Sequence, residues 1–216
     1  ARGGPVEVRV FGGGLTAGSV ADLDFGPGVT VASVNDPSTD GWLRVWLTIA
    51  DDASIGPRDL FAFGTLLEDA LLVHDGVDRI GVTPETGMAR VGGGAFPKGY
   101  QTYEAIGFSD GADGESETDD DLTLGRVEVS WSVEEYAATF GDDDVAFIGS
   151  MGQDGVFIPA VDGPNPDRVG SRNNVGDAWV IATHTTADGS ELRARAHLLV
   201  TVPLYMRFEP WREVSR

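Results

Sequence analysis

The chain has 216 residues, enough for two ordinary domains, each with its own core. Its 35 acidic and 15 basic residues leave a net charge of −20, which repels nucleic-acid phosphates and anionic membrane surfaces. It contains no cysteine, which excludes disulfides, thiolate chemistry, iron–sulfur ligation and covalent haem attachment through C-x-x-C-H.

In chain order, the first segment with a clear period is Val6–Phe11, where valines alternate with Glu7 and Arg9 as in a half-buried strand. Val29–Val34, Leu43–Ile49 and Arg58–Phe63 continue the series, separated by turn signals at Gly12-Gly13-Gly14, Gly26-Pro27-Gly28 and Gly56-Pro57. The apolar run between Gly64 and Gly76 fits a short helix or a buried strand. Further strands are expected at Arg126–Trp131, Asp177–His184 and Leu192–Val202. Ser132 and Glu135 have the capping-box spacing and Gly141 supplies a stop, so one short helix is expected over 132–141. Short strands at this spacing predict an all-β chain of two immunoglobulin-like β-sandwiches in tandem, 1–76 and 77–216, with that helix in the second.

Residues 109–121 carry seven carboxylates: Asp110, Asp113, Glu115, Glu117, Asp119, Asp120 and Asp121. Calcium takes six to eight oxygens, and Asp110, Asp113, Asp119, Asp120 and Asp121 could wrap one ion. The spacing is not that of an EF-hand, and a solvated insertion between two strands explains the same residues. Lys98 is the single lysine, and aspartates are spread along the whole chain, a composition suited to a halophilic, high-salt setting.

No arrangement points to catalysis. His74, His184 and His197 lack zinc-ligand spacing, no serine stands in a G-x-S-x-G elbow, and the adjacent acids Glu134-Glu135 and Asp142-Asp143-Asp144 need not face one cleft. Trp42, Trp46, Trp131 and Trp179 lie in or beside strands, where a core position is expected. The carboxy-terminal stretch after Pro203 carries Tyr205, Phe208 and Trp211 among charges of both signs, an aromatic set suited to folding back or to docking a partner.

Two resemblances add to this reading. "VEVRVFGGGLTAG", "LDFGPGVTVASV" and "VWLTIADDASIGPRDLFAF" together resemble an IPT/TIG-type immunoglobulin-like domain. "DRIGVTPETGMARVGGGAFPKGYQTYEAIGFSDGADG", "WSVEEYAATFGDDDVAFIGSMGQDGVFIPAVDGPNP", "SRNNVGDAWVIAT" and "LRARAHLLVTVPLYMR" resemble the C-terminal region of the α subunit of quinohaemoprotein amine dehydrogenase. That resemblance implies a non-catalytic, extracytoplasmic domain pair that supports an amine-oxidising electron-transfer complex. It also implies that haem and cysteine tryptophylquinone sit on other domains or subunits, the latter on a small γ subunit beside a propeller β subunit. A free-standing extracellular module binding a glycan or a cell-surface protein is the alternative.

Overall fold

The computed structural model describes residues 1–13, 15, 19–35, 41–93, 96–137 and 142–203. Contacts gather the chain into two compact units, Ala1–Arg79 with Gly107–Gly125, and Ile80–Ile106 with Arg126–Arg216.

In the first unit, β1 (Pro5–Phe11), β2 (Leu23–Asp24), β3 (Val29–Asn35), β4 (Trp42–Ile49), β5 (Gly56–Ala62) and β6 (Thr65–Val73) form two three-stranded sheets, ordered β1-β4-β3 and β2-β5-β6. Alternation along β4 buries Leu43, Val45, Leu47 and Ile49 while Trp42, Arg44 and Trp46 turn outward. Leu23, Phe25, Leu60 and Val73 supply much of the rest of this core. The run between Gly64 and Gly76 is thus strand β6 rather than a helix.

The chain then continues through β7 (Arg79–Thr83), β8 (Thr86–Arg90), β9 (Gln101–Thr102), β10 (Glu104–Ser109), β11 (Leu122–Arg126) and β12 (Ser130–Glu135) to β13 (Gly149–Met151), β14 (Val156–Pro159), β15 (Gly176–Thr185) and β16 (Glu191–Thr201). β12-β15-β16-β8 form a four-stranded sheet, β13-β14-β9 a second and β11-β10-β7 a third. The second core is built on the inward residues Ala178, Val180 and Ala182 of β15 and Ala196, Leu198 and Val200 of β16, packed with Tyr103, Trp131, Ile148 and Phe157. Of the four strand tryptophans only Trp131 joins a core; Trp42, Trp46 and Trp179 lie on outward faces, with Trp46 37% exposed.

The expected helix at 132–141 is corrected by this structure. Ser132 pairs with Ile181, Val133 with Val180 and Glu135 with Ala178 in β12, while 138–141 lie outside the described residues. The same residues alternate Trp131 in, Ser132 out, Val133 in, Glu134 out, and a partner strand rewards that period over the local capping signal. Among the described residues the helical pieces are three-residue 3₁₀ turns. The strand expected at 126–131 is split, ending in β11 at Arg126 and resuming in β12 at Ser130.

Candidate functional site

The acidic segment is a turn-rich loop joining β10 to β11, and its carboxylates are largely occupied by the loop's own donors. Asp120 accepts from the amides of Ala112 (2.7 Å) and Asp113 (3.3 Å) and from the Thr118 hydroxyl (2.8 Å). These bonds, that from Thr118 foremost, hold its carboxyl below the usual carboxylate range. Asp113 accepts from the Glu115 amide at 2.8 Å, and Asp110 from the Ser116 hydroxyl at 2.9 Å. Asp121 accepts from the Glu117 amide at 3.0 Å and pairs with Arg79, whose guanidinium also stands over the Phe108 ring. Asp119 is exposed. Gly111, at φ +70°, closes against Asp120, where a Cβ would strike its carboxylate. Asp110, Asp113, Asp120 and Asp121 therefore brace the loop, and calcium there would compete with the N–H and O–H groups that already engage them.

The closest gathering of three acidic groups among the described residues is instead Asp142, Asp143 and Asp144, whose carboxylate oxygens come within 4.8 Å of one another. A protein cation already sits beside them. Arg168, 2% exposed, donates to Asp143 at 2.8 Å, to Asp144 at 2.5 Å, and to the carbonyls of Asn173 (2.9 Å) and Val175 (2.8 Å). Asp144 also accepts from the Asp177 amide at 2.9 Å, and Arg172 reaches Asp143 at 3.0 Å. The hydrogen bond from Arg168 holds the Asp143 carboxyl below its usual range. Glu135 receives the Val145 amide at 3.1 Å, and burial pushes its carboxyl up. Chemically this is a compensated ion cluster that ties the 3₁₀ turn Asp144–Ala146 to the start of β15.

The outward face of β12, β15, β16 and β8 is different. Trp179 lies directly opposite His197, with ring centroids 5.6 Å apart. Tyr136 stacks on His197 at 4.3 Å and leans on Trp179 at 4.9 Å, while the Arg195 guanidinium covers the Trp179 ring at 4.1 Å. His197 Nε2 meets Asp177 at 3.0 Å, and Arg193 pairs with Glu134 at 2.6 Å. Met88, 57% exposed, borders this group on β8. An aromatic and arginine patch on the outward face of a sheet has the composition of the energetic centre of a protein interface.

A scan against protein-family models matches residues 80–210, more than half of the chain, to quinohemoprotein amine dehydrogenase, alpha subunit domain IV. The chain belongs to this family. None of the curated proteins matches it. Strands β1 to β6 precede the matched region, which takes in β8 to β16 and so includes the sheet that carries Trp179 and His197.

The three residues expected to bind a partner, Tyr205, Phe208 and Trp211, lie outside the described residues. His184 Nδ1 donates to the Glu128 carbonyl, 2.8 Å away, and stands apart from His197. Sequence reasoning missed Arg168 because it sits in "GPNPDRVG", a stretch that reads as a turn, 24 residues from its partner Asp144. The aromatic face had a usable signal: Trp179, Arg193, Arg195 and His197 share one parity along adjacent predicted strands, and their outward orientation follows once the alanines and valines between them are placed inside.

Proposed function

We propose that the chain is a non-catalytic, subunit-docking part of an amine dehydrogenase-like complex, and that its domain IV engages another subunit through the outward face carrying Tyr136, Trp179, Arg195 and His197. The family match over that unit carries the reading. The face supports it because Trp179 is clamped by Arg195 above and His197 beside it, so little side-chain freedom remains to be lost on docking. Redox chemistry in this reading belongs to haem and quinone groups on other domains or subunits, in an extracytoplasmic compartment. The cysteine-free chain has no thioether anchor for either.

The experiment is assembly of a Trp179→Ala, Arg195→Ala chain with co-expressed partner subunits. Losing a central aromatic weakens an interface by about 2 kcal/mol or more, roughly 30-fold in Kd. The variant should elute free while its thermal midpoint stays within about 3 °C of the parent's, since both groups lie outside the core. Normal assembly of the variant contradicts the reading, and retention of a glycan or cell-surface protein in place of the enzyme subunits favours a free-standing binding module.

A further inference from the structure

The first unit offers a second interaction site that stands on its own geometry, independent of the family match. Its sandwich is closed on one flank and open on the other. Leu67 pairs with Leu60 and so faces the same side of the sheet, yet Leu60 is 3% exposed and Leu67 is 58% exposed. Across from it Val6, Val8 and Val10, the inward residues of β1, are only half-buried, whereas the inward residues of neighbouring β4 are fully buried. Between them runs a groove of about 240 Å³ floored by Phe25 and Leu60, which continues past Phe11, itself 71% exposed.

Both walls end in sheet edges: among the described residues β1 pairs with β4 and β6 with β5, and neither has a second neighbour. An edge strand leaves N–H and C=O groups unpaired along one side, which a lipid or a sugar cannot match in register but an extended peptide can. The two edges are not equivalent. β6 is interrupted by a bulge opposite Arg58 to Leu60, with Asp69 at φ +52° and its amide on the Asp59 carboxylate at 3.0 Å. β1 runs in unbroken register with β4 from Pro5 to Phe11. Glu68 and Asp69 make the β6 rim acidic, while on β1 Glu7 is paired with Arg44 at 3.5 Å and Arg9 is drawn over the Trp42 ring at 5.1 Å. A second copy of a chain of charge −20 meets repulsion here, while Lys or Arg beside an apolar strand meets complementary charge.

We propose that this groove is a strand-acceptor site: an extended segment of a partner protein, apolar at alternate positions and flanked by Lys or Arg, pairs with β1 and buries its apolar side chains against Val8, Val10, Phe25, Leu60 and Leu67. The test uses the full chain and a short peptide of alternating valine and threonine with lysines at both ends. Saturable binding is expected, with hydrogen exchange of the β1 amides slowed by about tenfold or more. The same peptide N-methylated on alternate amides should not bind, because it cannot pair, and a glutamate-flanked version should bind more weakly. Leu67→Glu should abolish binding without unfolding a position already open to water. Equal binding of the N-methylated peptide, unchanged β1 exchange, a dimer dispersed by Leu67→Glu, or binding that appears only after residues 204–216 are removed would each overturn the proposal. The last two would assign the groove to a second copy or to the chain's own terminus.

Discussion

Arg168 is the residue on which the second unit's loop structure turns. Its side chain is 1% exposed, and Asp143, Asp144 and two carbonyls converge on it. Arg168→Met leaves the buried Asp144 carboxylate without its cation, a change that costs about 3–5 kcal/mol for a buried pair. Denaturant titration should show the midpoint falling with the slope unchanged. The effect also has a pH signature. Asp143 has its folded pKa depressed, so its contribution is complete above the ordinary value of 3.8 and is lost as pH falls through the lower, folded value. The gap between parent and variant should therefore narrow in that acid range. A variant as stable as the parent at neutral pH would mean that water replaces the guanidinium. Gly176 belongs to the same cluster, since a Cβ there would strike the Asp144 carboxylate. None of this shows in the local sequence, because an arginine between two turns normally faces water and burial depends on partners distant in the chain.

Strands were legible wherever one face is buried and the other wet. β1, β3, β4, β15 and β16 fall within a residue or two of the alternating segments at 6–11, 29–34, 43–49, 177–184 and 192–202. β12 shows where local signals mislead. Ser132 and Glu135 satisfy a capping pattern, but pairing with β15 decides the conformation, and Glu135 caps the Val145 amide instead. The break between β11 and β12 was hidden for a similar reason: Val127, Val129 and Trp131 keep a strand's period through the irregular residues 127–129. In the acidic loop, Asp120 acts as the hub that the count of carboxylates could not single out. Asp120→Ala should speed amide exchange at Ala112 and Asp113 while leaving β10 and β11 paired. In the parent, the depressed folded pKa of Asp120 means that protection of these amides is full above its ordinary value of 3.8 and disappears only as pH falls through the lower, folded value. NMR exchange measured across that range checks both, and unchanged exchange in the variant would remove Asp120 from its place as hub.

For the whole molecule, charge is the term that composition makes plain. A net charge of −20 works against compactness, and screening relieves it as the Debye length falls from about 30 Å at 0.01 M salt to about 3 Å at 1 M. The thermal midpoint should rise across that range of sodium chloride, and a flat or falling midpoint would remove the high-salt reading. What composition could not locate is the proposed docking face, because it depends on β15, β16 and the residue after β12 bringing Tyr136, Trp179, Arg195 and His197 together. The most direct test of the docking role is the composition and mass of the particle that contains this chain in its native source, by size-exclusion chromatography with light scattering and mass spectrometry. A docking role predicts that the chain elutes in a multi-subunit particle with haem and quinone absorbance carried by other polypeptides or domains, and that the Trp179→Ala, Arg195→Ala chain is missing from it; elution of the native chain alone, at its monomer mass, would contradict that role.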